Sequence, residues 1–126
     1  MTTAPHTDTS NQATWQLICL CADWCGTCRE WRPQLAQEAT RHPDVRFAWV
    51  DIEDQADAMG DIDVETFPTL LIAQGGQVRF LGPVLPSTSA IGRLLESLQH
   101  DAASVSAPAG AAALLARLEA DGLRAP

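Results

Sequence analysis

The chain contains no lysine: its eight basic residues are all arginines, set against sixteen acids for a formal net charge of -8. A strongly acidic chain without a basic cluster has no electrostatic footprint for nucleic acid or an anionic membrane surface. No run approaches the roughly 18 consecutive apolar residues that a membrane span requires. Met1 to Gln12 has neither the charged start nor the apolar core of a secretory leader. These absences lead us to expect a cytoplasmic protein with no nucleic-acid or membrane partner. Structural disulfides are rare in that compartment, so a close cysteine pair there is redox-active or metal-binding.

What the chain does contain is 46% hydrophobic residues in 126 positions, enough for one domain with a modest core. Residues 1–13 are polar and read as a tail. The apolar run Trp15 to Cys21 reads as a buried strand. Directly after it come Trp24-Cys25-Gly26-Thr27-Cys28, and then a helix to about His42 with Trp31, Leu35 and Ala39 on one face. Pro33 predicts a kink in that helix, and Pro43 its end. Val45 to Ile52 reads as a second strand, parallel to the first because a helical crossover joins them. Asp54 to Gly60 reads as a short helix and Leu70 to Ala73 as a third strand. Gln74-Gly75-Gly76-Gln77 is a hairpin signal, which makes Val78 to Leu81 an antiparallel fourth strand broken by Gly82-Pro83. Pro86-Ser87-Thr88 opens a helix with Ile91, Leu94, Leu95 and Leu98 on one face. The order predicts a mixed α/β sheet flanked by helices. Residues 14–100 form the expected domain and 101–110 a linker. Residues 111–126 carry a further helix, Ala111 to Ala120, whose leucines weigh more toward docking on its own domain than toward a partner.

The chemistry is expected at the cysteines. The first backbone N–H groups of a helix lack internal partners, and the helix dipole favours negative charge there. Both would stabilise a thiolate at Cys25, making it the nucleophile. Cys28, one turn along, is close enough to close a disulfide onto it and act as the resolving thiol. His6, His42 and His100 lie far from the pair in sequence. They are expected at the surface and give no Cys/His catalytic arrangement.

Together, Ala22-Asp23-Trp24-Cys25-Gly26-Thr27-Cys28, Pro33 inside the helix, Phe67-Pro68-Thr69 before a strand, and Gly75-Gly76 in the hairpin resemble the thioredoxin family over about Trp15 to His100. The resemblance implies a thioredoxin-like fold of about four strands, with the family's first strand missing and an extra helix at the C-terminal end. It implies a protein disulfide oxidoreductase that needs no metal or organic cofactor, acts on protein disulfides and is recharged by a flavin-dependent disulfide reductase. It also implies a cis peptide bond before Pro68, facing Cys25, and a substrate surface made of Trp24, Gly26, Thr27, Thr66, Phe67 and Pro68.

Three departures from the family pattern stand out. The buried aspartate six residues before the nucleophile is Cys19, and its usual lysine partner is Trp49. The acid and base have gone together, which leaves no single buried charge unpaired. Water, Glu30 or Asp51 could take the proton instead. The proline usual between the cysteines is Thr27, whose N–H favours the thiolate and predicts a pair more oxidising than thioredoxin itself.

Two other readings stay open. Cys19, Cys21, Cys25 and Cys28 could bind zinc or an iron–sulfur cluster. Against this, strand alternation buries Cys19 and Cys21 on one face, where they read as small core hydrophobes. An intermediate version has Cys19 beneath Cys28, forming an alternative disulfide under oxidation. The chain could also be a thioredoxin-like interaction module without turnover.

Overall fold

Among the described residues, four strands hydrogen-bond in the order β2-β1-β3-β4, the middle of the sheet being the apolar stretches of the sequence. The computed structural model describes residues 14–22, 24–60, 62, 64, 67–101 and 107–126. The elements are β1 (Trp15–Cys21), α1 (Gly26–Ala39), β2 (Val45–Asp51), α2 (Ala56–Met59), β3 (Thr69–Gln74), β4 (Gln77–Pro83), α3 (Thr88–His100) and α4 (Ala111–Asp121). β1 runs parallel to β2 and antiparallel to β3, and β3 is antiparallel to β4 across the Gly75-Gly76 turn. The mixed sheet, the parallel crossover and the hairpin all agree with the sequence reading.

Several boundaries differ. Gly82-Pro83 does not break β4, which continues to Pro83: Leu70 pairs with Gly82 and Thr69 with Pro83. As the sheet's outer strand it tolerates a residue without an N–H. The expected helix from Asp54 shortens to four residues, because the Asp51 carboxylate accepts the Glu53 and Asp54 N–H groups and holds them in a turn. α1 continues past Pro33 to Ala39, and Glu38 is buried on it while Ala39 is half-buried. The Glu38 carboxylate lies 2.9 Å from His42 Nε2. His42 also stacks on Phe47, so it is half-buried and paired rather than a surface residue; His100 is exposed, and His6 lies outside the described residues.

Strand alternation sorts the core onto two faces. Trp15, Leu17, Cys19 and Cys21 of β1 point to the first face, where α1 supplies Cys28, Trp31 and Leu35, and α3 supplies Ile91, Leu95 and Leu98. Ile18 and Leu20 point to the second face, which α4 covers with Ala111, Leu114, Leu115 and Leu118, beside Ala58 and Met59 of α2. α4 is therefore docked on its own sheet. Arg117 fixes it there: its Nε donates to Ala58 O at 2.6 Å and its Nη2 to Met59 O at 3.3 Å, satisfying carbonyls at the end of α2. Gly60 turns the chain with φ +59, and a Cβ there would lie 2.7 Å from the same guanidinium. Glycine is needed for both reasons. Beyond α4 the chain returns to the outer edge of β2, where Trp49 N–H donates to Arg124 O at 2.8 Å. A buried guanidinium, Arg79, ties β4 to the end of α3 through Leu98 O and Asp101 O and lies over the Trp15 ring. The expected tail, residues 1–13, and most of the expected linker, 102–106, lie outside the described residues.

Candidate active site

β1 ends at Cys21, and the chain turns through Ala22 to start α1 at Gly26, the Cys25 N–H donating to Ala22 O at 3.0 Å. Cys25 is the N-cap of α1, in extended conformation with φ -83 and ψ 119; no side chain caps the helix start. Its carbonyl closes the first turn by accepting the Arg29 N–H at 3.1 Å. The Cys25 thiol is free and half-buried, at the edge of the first core face. Cys28, one turn along, is fully buried. An open sulfur and a closed one on the same helical turn are thus presented to the same small region.

The disulfide in the structure joins Cys28 to Cys21, across the strand-to-helix turn, with Cα atoms 5.9 Å apart. That separation lies within the usual range for bridged pairs. Cys28 therefore has a second possible sulfur partner beside Cys25. Two expectations need correcting here. Cys21 is not merely a small core hydrophobe, and the residue beneath Cys28 is Cys21 rather than Cys19. Strand alternation puts both cysteines on the helix side, but it does not say which of them meets a residue of the next helix.

Cys19 stays a free thiol, fully buried. Burial pushes it up to about 12; the neighbouring Trp31 indole offsets part of that rise, although its N–H makes no well-directed hydrogen bond. The β1–β2 register places Cys19 directly opposite Trp49, and the Arg32 guanidinium lies over the Trp49 ring, 5.0 Å from its centre. Where the family pattern has a buried acid and base, this chain has a thiol and an indole side by side.

Asp51, the cross-strand partner of Cys21, spends one carboxylate oxygen on the turn after β2, and Glu30 is exposed on α1. A cleft of about 490 Å³ beside β2 is lined by Arg32, Trp49, Asp51, Asp54 and Arg124, among others. It mixes both signs of charge, and no sulfur lines it.

Trp24 is 60% exposed and meets the half-buried Phe67 edge-on, ring centres 5.6 Å apart. The contact joins the cysteine loop to the loop before β3. The Phe67–Pro68 peptide bond is cis, and Pro68 O accepts the Val84 N–H at 3.1 Å. Gly26 and Thr27 are exposed; Thr66 lies outside the described residues. Among the described residues, no group of three or more His, Cys, Asp or Glu is arranged to hold a metal ion. No helix among them is long and apolar enough to cross a membrane.

The sequence profile of the thioredoxin family matches residues 3–85. The chain belongs to the thioredoxin family. It is 33% identical over 57 residues to mitochondrial thioredoxin-3 of Saccharomyces cerevisiae, a match covering 45% of each chain. It is 38% identical over 56 residues to thioredoxin H2-1 of Oryza sativa subsp. japonica, covering 44% of this chain and 41% of that one. The chain spans about half the length of these curated relatives. Among solved structures, the oxidised mitochondrial thioredoxin 3 of Saccharomyces cerevisiae superposes with a TM-score of 0.60 at 25% identity, over 72% of this chain and 85% of that one. The thioredoxin of Fasciola hepatica superposes with a TM-score of 0.58 at 23% identity, over 75% and 88% respectively, a likeness of fold. A mixed four-stranded sheet flanked by helices, with an additional helix at its C-terminal end, is the thioredoxin fold as this chain builds it.

Proposed function

We propose that this thioredoxin-family chain is a thiol–disulfide oxidoreductase, with Cys25 the attacking thiol and Cys28 the resolving one. The observation that carries the reading is the position of Cys25: a free, half-exposed thiol at the N-cap of α1, with no other side chain capping the helix. The first backbone N–H groups of α1, which have no partner within the helix, lie beside it, and its exposure lets a substrate disulfide reach the sulfur. The Cys25 thiolate attacks a substrate disulfide, forms a mixed disulfide and expels one substrate thiolate. The Cys28 thiolate then attacks the Cys25 sulfur, expels the second, and leaves Cys25–Cys28 oxidised. The two departing thiolates take up the two protons that Cys25 and Cys28 gave up.

No metal or organic cofactor enters these steps. Trp24, Gly26, Thr27, Thr66, Phe67 and Pro68 form the proposed surface for an extended protein substrate, the backbone beside Pro68 offering itself as a strand partner. A flavin-dependent disulfide reductase, or another dithiol, returns the electrons. The cycle belongs in a reducing compartment, for which we propose the cytoplasm. With Thr27 in place of proline, the Cys25–Cys28 pair, isolated in Cys21→Ser and equilibrated with glutathione, is expected to have a reduction potential above that of thioredoxin itself. Insulin reduction by dithiothreitol tests the function: wild type accelerates it, and Cys25→Ser abolishes the acceleration. Equal rates for the two would instead identify an interaction module without turnover.

A further inference from the structure

Cys28 lies between two sulfurs. One is Cys25, at the N-cap of the same helix, half-exposed and free. The other is Cys21, at the end of β1, fully buried and bonded to Cys28. Cys19 shares the first face with Cys21 but lies two residues further from the turn, is unbonded, and faces Trp49 across the sheet. Of these two strand cysteines, Cys21 is the one bridged to Cys28, with Cα atoms 5.9 Å apart.

We infer that Cys21 is a second resolving thiol: it takes over Cys28 from Cys25 after each turnover, so that the oxidised protein rests as a buried Cys21–Cys28 disulfide with Cys25 free. This rests on the disulfide-exchange reading above. The step follows formation of Cys25–Cys28. The Cys21 thiolate attacks the Cys28 sulfur, the Cys21–Cys28 bond forms, the Cys25–Cys28 bond breaks, and Cys25 leaves with the electron pair. Cys25 takes up the proton that Cys21 lost. The step is isomerisation of one disulfide into another, so it needs no oxidant or reductant.

Geometry favours it in this direction. The departing sulfur is the half-exposed one at the helix start, open to solvent and to the proton it takes up. The bond that forms is out of solvent: Cys21 and Cys28 are both 0% exposed. An external reductant therefore cannot approach it directly. Reduction must run through Cys25, whose thiolate attacks the Cys28 sulfur, restores Cys25–Cys28 and returns Cys21 to the thiol. The accessible pair is then open to the incoming dithiol. The consequence is an oxidised form that keeps an accessible nucleophile and does not offer its disulfide to stray thiols.

Disulfide mapping tests the relay. The protein is oxidised with diamide, quenched in acid, denatured and labelled with N-ethylmaleimide, and the labelled cysteines are located by tandem mass spectrometry. Wild type is expected to carry label on Cys19 and Cys25. In Cys21→Ser the Cys25 label is lost, because Cys25 is then held by Cys28. Label on Cys19 and Cys21 of wild type would overturn the relay. In Cys25→Ser the Cys21–Cys28 bond is expected to form and to be reduced by dithiothreitol at least about tenfold more slowly than in wild type, for want of access. Reduction at the wild-type rate would take Cys25 off the route and overturn the relay as well. Insulin turnover by the same wild-type sample separates this inference from the function beneath it. Turnover with a Cys25–Cys28 pattern removes the relay alone. A Cys21–Cys28 pattern without turnover removes both, leaving a structural disulfide.

Discussion

The two faces of the sheet are drawn from alternate residues of the same strands, yet they differ in kind. On the first face, β1 and β2 place Trp15, Cys19, Cys21, Phe47 and Trp49 against Cys28 and Trp31 of α1. On the second, the same two strands place Ile18, Leu20, Ala48 and Val50 against the alanine and leucine face of α4. Every described sulfur that can take part in thiol chemistry packs on the first face; the apolar core of the second is aliphatic apart from the thioether of Met59, and its buried Gln16 donates to Glu119 of α4. The first must hold a helix start at a fixed distance from a strand end, so its cover is the helix that follows that strand directly. The second needs only to be kept dry, and a helix from the far end of the chain does this as well as a local one. Chemistry constrains the connection; burial constrains only the surface.

Three measurements sharpen the contrast, beginning with the largest effect. The Cys19 thiol is held protonated by burial, up to about 12 against 9.0 when unburied. Its folded value is raised, so its contribution to stability is complete below about pH 9 and is lost as pH rises toward 12. The loss runs at about 1.4 kcal/mol per pH unit, because the unfolded chain gives up that proton first. The chain has neither lysine nor tyrosine to titrate in that window. Urea midpoints of the oxidised protein should fall through this range in wild type and stay nearly level in Cys19→Ala. Parallel profiles would remove the buried thiol from the account.

Next come the two covers. Leu114→Ala on the second face and Leu95→Ala on the first both empty a fully buried site, and each should cost about 3 kcal/mol in urea unfolding. Only Leu95→Ala, which lies on the cysteine side, is expected to alter insulin turnover as well. Equal turnover losses in the two would show that the faces are not separable. The smallest effect belongs to Arg117→Ala, which takes the guanidinium away from the Ala58 and Met59 carbonyls at the end of α2. Met59 O keeps the Ile62 N–H at 3.1 Å, so Ala58 O carries most of the loss; the change should cost about 1 to 2 kcal/mol and leave the cysteine pairing unchanged by mass spectrometry.

Local pattern made much of this legible. Trp15–Cys21 as a strand, the parallel crossover and the hairpin at Gly75-Gly76 follow from alternation, connection length and turn chemistry. The family motif carried the cis bond at Pro68. What was not legible depends on which side chains meet across a turn. Cys21 and Cys28 are seven positions apart in two different elements, and no periodicity relates a strand residue to one in the next helix. A buried Arg79 also reads as a solvent-facing strand residue until the carbonyls of Leu98 and Asp101 arrive from α3. The leucines of α4 announced an apolar face, but only the bare side of the sheet decides what that face covers.

One trap bears most directly on which sulfur makes the first attack. In Cys28→Ser the thiol that resolves the Cys25 adduct is gone, and Cys21 acts only on the Cys28 sulfur, so a substrate caught by the nucleophile stays attached. After reaction with insulin, the account predicts a stable mixed disulfide between an insulin chain and Cys25, located by mass spectrometry. An adduct on Cys21 or Cys19, or none at all, would contradict it.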